Sequence, residues 1–64
     1  MDLRKILIEE DIQFLIDNDI NLEIETQKEY DELLYKLFRL DWNTLEQKER
    51  VYDYIFDYEE NKFK

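Results

Sequence analysis

No glycine, proline or cysteine occurs in this chain, and that absence limits its folding more than any motif does. Without cysteine there is no disulfide and no thiolate zinc site. A 64-residue chain lies near the lower size limit for folding without such staples, so an apolar core or a second subunit must hold it together. The aromatic residues (Phe14, Phe38, Phe56, Phe63, Trp42 and five tyrosines) suit that task, because each buries a large area. Their abundance also argues against a disordered acidic tail. The expectation is one acidic domain over residues 1–64.

Eighteen acidic residues face nine basic ones, a net charge of −9. Such a potential repels nucleic acid and anionic membrane and attracts basic protein surfaces. The chain also lacks His and Ser, so no nucleophile–base pair of the usual kind can be assembled. Two carboxylates suffice for glycoside hydrolysis, but a domain this small can hardly enclose a sugar cleft that raises one carboxyl pKa. No catalytic residue and no cofactor site is expected; the chain reads as a binding protein, not an enzyme. Only three consecutive apolar residues, Ile6 to Leu7 to Ile8, precede Glu9. That is too short for a signal segment or a membrane span and points to the cytoplasm. Residues with AT-rich codons abound while Gly, Ala and Pro are missing, which suggests a low-GC bacterium or one of its phages.

The fold class expected from local patterns is α+β. Ile20, Leu22 and Ile24 alternate with polar residues, the period of a half-buried strand. A three-residue loop at Asp17–Asp19 would pair Ile16 with Ile20, Phe14 with Leu22 and Ile12 with Ile24, giving a β-hairpin over about 12–25. Asn18 and Asp19 tolerate the left-handed conformation that such a loop needs. Residues 2–10 read as a short helix, with a third strand as the alternative. Thr26 and Glu29 form a capping box opening a helix over about 27–40, on which Tyr30, Leu33, Leu34, Leu37 and Phe38 share a face. Asn43 with Glu46, or Thr44 with Gln47, starts a second helix over about 44–61. Its apolar stripe is read as Leu45, Tyr52, Ile55, Phe56 and Phe63, and the short connection makes the two helices antiparallel neighbours.

The candidate binding residues are acidic and aromatic. Asp17 to Glu25 resembles the opening of a calcium loop, but its sixth position is Leu22 and its twelfth is Lys28 where the EF-hand needs Gly and Glu; no metal site is expected. The hairpin's outer face would carry Asp11, Gln13, Asn21, Glu23 and Glu25. On the last helix Glu46, Glu49, Asp53, Asp57 and Glu60 fall on one ridge, where like charges repel one another. Tyr54 and Tyr58, projecting on the side away from Leu45 and Phe56, add apolar area with a polar tip, as contact residues do. The competing reading is a solubilising face with tyrosines packed on the N-terminal segment or on a second subunit.

Tyr54-Ile55-Phe56-Asp57-Tyr58-Glu59 resembles the Tyr/Phe-Asp-Tyr-Glu signature of some phage- and plasmid-borne antirestriction proteins. It covers six residues and stops at Glu60-Asn61-Lys62. In size and composition the chain is similar to small acidic phage inhibitors of restriction enzymes, CRISPR nucleases and DNA-repair glycosylases. That resemblance implies a DNA mimic whose partner is the basic surface of a nucleic-acid-binding protein, with no direct nucleic-acid or membrane binding. The alternative is a regulatory interaction module (antitoxin-like, anti-sigma-like or a homodimeric adaptor) that uses an aromatic face.

Overall fold

The alternation at Ile20, Leu22 and Ile24 is extended chain, but its partner is the N-terminal segment rather than residues 12–16. In the computed structural model, which describes the backbone of residues 1–62 and the side chains of residues 1–59, Leu3 N donates to Leu22 O at 2.8 Å and Ile24 N to Met1 O at 2.7 Å. Asp2 and Glu23 form an isolated antiparallel bridge. The inward set is buried, with Ile20, Leu22 and Ile24 all in the core, while Asn21, Glu23 and Glu25 face solvent. Residues 20–25 therefore form no strand of a hairpin, only extended chain with one bridge to the N-terminal segment.

The described residues form a 3-10 turn at Leu3–Lys5 and three helices: α1 at Glu9–Asp17, α2 at Gln27–Arg39 and α3 at Leu45–Lys62. They contain no sheet beyond the single bridge, so the α+β expectation with a hairpin over 12–25 is corrected to an all-helical fold. The short helix expected over 2–10 reduces to the 3-10 turn, and α1 begins where that helix was to end. Residues 9–17 are helical because that geometry buries Leu15 completely together with Asp11, one turn earlier. A hairpin facing Ile12, Phe14 and Ile16 inward would leave Leu15 outside, and a two-stranded sheet is marginal in any case. In the helix it is Ile16 that stays half-exposed.

Asn18 and Asp19, the would-be hairpin loop, terminate α1. Asp19 adopts φ 59°, the one positive φ among the described residues. Its N–H donates to Ile16 O and the Ile20 N–H reaches back to Leu15 O at 3.0 Å, the paired bonds of a Schellman motif. Asn18 Nδ2 also donates to Phe14 O at 2.8 Å. Leu15 and Ile20 are both buried, which supplies the apolar contact that accompanies this cap. The left-handed tendency of Asn and Asp is thus used to stop a helix.

α2 opens at the capping box. Thr26 Oγ1 accepts from Glu29 N, and the Glu29 carboxylate accepts from the N–H groups of Thr26 and Glu25. α3 opens at Thr44, whose hydroxyl accepts from Gln47 N at 3.0 Å. The Trp42 indole Nε1 donates to Leu37 O at 3.1 Å, a second donor on a carbonyl in the last turn of α2 that also accepts from Leu40 N at 3.3 Å. The core gathers Leu3 and Leu7 from the N-terminal segment, Leu15, the extended trio, Leu33 and Leu37 from α2, and Val51 and Ile55 from α3. Phe38 does not join it; it is 78% exposed. Phe63 and the Glu60 side chain, both named above, lie outside the described residues.

Leu15→Ala is expected to cost about 3 kcal/mol by leaving a core cavity, and Ile16→Ala under about 1 kcal/mol. A hairpin would reverse the two costs in a urea melt. The capping box adds a pH prediction. The Glu29 carboxyl is held below its ordinary 4.5, first by the Glu25 N–H and then by the Thr26 hydroxyl. Its contribution is therefore complete above 4.5 and is lost as pH falls through the lower folded value. Glu29→Gln keeps a neutral cap, so the stability gap between the two proteins should close on acidification. A gap that stays constant with pH would contradict that assignment.

Candidate functional site

Every candidate residue on α3 depends on how that helix is rotated, and a polar contact from α1 sets the rotation. Arg50 clamps Asp11 with two hydrogen bonds, Nε to Oδ2 at 2.8 Å and Nη2 to Oδ1 at 2.6 Å. Gln47 Nε2 adds a longer one to Oδ1 at 3.3 Å. The Asp11 side chain is fully buried, whereas that of Arg50 keeps a solvent-facing edge. The fork geometry is the strong form of a charge-assisted hydrogen bond, and it raises the Arg50 pKa above its ordinary value. Gln47 Oε1 is buried without a hydrogen-bond partner among the described residues, a cost carried by the same cluster. Asp11, expected on an outer hairpin face, is instead the anchor of the interior.

With Arg50 turned toward α1, the buried row of α3 is Gln47, Val51 and Ile55, spaced i, i+4, i+8. The apolar stripe expected from the sequence is therefore rotated away. Of the described members of that stripe only Ile55 is fully buried; Leu45 is 68% and Phe56 49% exposed. The stripe hid because its true centre contains a glutamine.

Glu46, Glu49, Asp53 and Asp57 are all exposed. At 3.6 residues per turn they fall within about 80° of arc, on the side opposite Val51 and Ile55. The ion pairs among the described residues join Arg4 to Asp2 and Glu23, and Arg50 to Asp11 and Glu10; none involves these four carboxylates. Successive members stand about one turn apart, roughly 4.5–6 Å along a rigid axis.

The remaining candidates divide. Glu23 is tied to Arg4 Nη2 at 2.7 Å, so its charge is already matched. Glu23, Glu25 and Tyr58 line one shallow concavity with Met1, Asp2, Lys5 and Ile6, away from the ridge. Tyr54 and Tyr58 are 38% and 36% exposed and flank the buried row on its far side. The structure thus unites Glu46, Glu49, Asp53 and Asp57, and separates them from Glu23, Glu25, Tyr54 and Tyr58.

The apolar neighbours of the ridge are Leu45, Tyr52 and Phe56, assigned to the core by sequence. They border a concavity of about 500 Å³ with Lys48, Glu49 and Asp53. Phe56 is stacked on Tyr52 at 5.8 Å between ring centroids, Tyr52 lies against Trp42 at 6.1 Å, and Trp42 is stacked on Phe14 at 5.3 Å. Burial raises the Tyr52 phenol pKa, so it stays neutral. This aromatic file carries support from α1 to the surface of α3. No group of three metal-ligating side chains converges among the described residues, and no helix among them is long and apolar enough to cross a membrane. No protein-family model matches the chain, and neither a curated protein nor a solved structure matches it significantly.

Arg50→Ala should cost about 3 kcal/mol, because it strands a buried carboxylate. The paired change Asp11→Leu with Arg50→Met should recover most of that loss, since an apolar pair of similar volume needs no charge partner. If the single substitution proves neutral in a urea melt, the clamp does not hold α3.

Proposed function

We propose that the protein is an inhibitor that occupies the cationic nucleic-acid-binding surface of another protein with the carboxylate ridge of α3. The observation that carries this reading is a row of four exposed carboxylates on one arc of a helix, unpaired among the described residues. Nucleic-acid-binding proteins place Lys and Arg where phosphates sit. A rigid file of negative charge competes for the same groups without the entropy loss of ordering a flexible acidic tail. The net charge of −9 speeds encounter with a basic target. A chain without His or Cys suits this binding role better than a catalytic one, and the likeness of Tyr54 to Glu59 to the antirestriction signature points the same way. The partner would be a nuclease, a CRISPR effector or a restriction or repair enzyme, met in the cytoplasm.

A second reading has its own support. Tyr35 and Phe38 on α2 are 61% and 78% exposed, and an interaction module or homodimer could use that aromatic face. Its binding would be nearly indifferent to salt, whereas the ridge's would weaken steeply.

The test is competition. A target captured from host lysate should be released by duplex DNA or heparin and by moderate salt. The protein with Glu49→Lys, Asp53→Lys and Asp57→Lys should keep its circular dichroism spectrum and lose capture, while Glu32→Lys on α2 should retain it. Direct binding of nucleic acid by this protein, or capture untouched by the triple reversal, would contradict the proposal.

A further inference from the structure

We propose that the ridge and the apolar strip beside it form one docking face for a basic amphipathic helix of the partner. This deepens the inhibitor reading and rests on it. A surface that only imitated phosphates would need no apolar component, yet Leu45 and Phe56 stand 68% and 49% exposed on the same flank as Glu49 and Asp53. Leu45, Tyr52 and Phe56 follow i, i+7, i+11, three turns or about 16 Å along the helix. That matches the length of apolar contact an amphipathic helix makes in a groove. Phe56 is stacked on Tyr52, which in turn lies against Trp42, so the strip is braced from below by half-buried rings.

The charge beside the strip selects the occupant. Glu49 and Asp53 line the concavity and, among the described residues, only Lys48 on its lining opposes them, with Glu46 and Asp57 continuing the same arc. An anionic lipid surface and nucleic acid would both be repelled. A second copy would bring two negative ridges toward each other. A segment with Leu or Ile on one face and Lys or Arg on the margins satisfies both halves: its apolar residues cover Leu45 and Phe56, and its cations meet the carboxylates. Charge then governs association and the apolar contact governs dissociation.

Two labelled peptides serve as probes: an amphipathic Leu/Lys helix and an oligolysine of equal charge, read by fluorescence anisotropy. Trp42, the one tryptophan, gives a second readout through its contact with Tyr52. The protein should bind the Leu/Lys helix at least about tenfold more tightly than oligolysine. Leu45→Gln, at an exposed position, should erase most of that advantage and leave oligolysine binding unchanged; Phe56→Ser should do the same. The triple ridge reversal should weaken both probes. Equal binding of the two peptides, or indifference to Leu45→Gln, would overturn the docking face while leaving the inhibitor reading standing. Loss on Leu45→Gln with no effect of the ridge reversal would overturn the joint docking face and the charge-based inhibitor reading together. Sedimentation that finds a dimer dissolved by Leu45→Gln would overturn the inference in favour of a second copy.

Discussion

The Asp11–Arg50 pair decides which way α3 faces, and most of the molecule's surface character follows from that. A carboxylate taken fully out of water is costly unless paired and hydrogen-bonded. Among the described residues the cation within hydrogen-bonding range of Asp11 is Arg50, in a forked contact that tolerates little rotation. Asp11 also sits in the first turn of α1, where negative charge is favoured by the helix dipole. Once Arg50 is committed to Asp11, Val51 and Ile55 must point inward and the opposite arc must point out. An apolar contact would allow α3 to roll; a bidentate ion pair resists it.

The same commitment shapes the electrostatics. This chain has nine cations for eighteen carboxylates, and two arginines are used on structural partners: Arg50 on Asp11, and Arg4 on Asp2 and Glu23. A third, Arg39, lies over the Tyr35 ring at 5.4 Å from its centroid. The outer arc of α3 is left with its carboxylates unmatched among the described residues. Repulsion along such a helix is unfavourable by a few tenths of a kcal/mol per pair.

How much of this could be read from residues alone depends on the signal each segment carries. Thr26 and Glu29 announce a helix start, because the capping box is a local chemical pattern. Ile20, Leu22 and Ile24 announce extended chain for the same reason. Strand pairing is not local: nothing in residues 20–25 says that Met1 to Leu3, rather than Ile12 to Ile16, will supply the hydrogen bonds. Asn18 and Asp19 misled because a left-handed residue serves a hairpin loop and a helix cap equally well. On α3 the ridge was legible, since Glu46, Glu49, Asp53 and Asp57 share an arc whichever way the helix turns. Its aromatic neighbours were not. Apolar spacing alone puts Leu45 and Phe56 inside; the long-range bond from Asp11, thirty-nine residues before Arg50, turns them out and brings Gln47 in.

The central claim is therefore the rotation of α3, and a chain without cysteine allows it to be measured directly. Single substitutions Leu45→Cys, Asp53→Cys, Phe56→Cys, Val51→Cys and Ile55→Cys place one thiol each around the helix, and labelling rates under native conditions read their exposure. Thiols at 45, 53 and 56 should react at close to the rate of an unfolded control, while those at 51 and 55 should be slowed at least about 100-fold, as for groups that open only with the core. Protection at 45 and 56 with fast labelling at 51 would mean that the helix faces the other way, and the account of both the clamp and the docking face would fail.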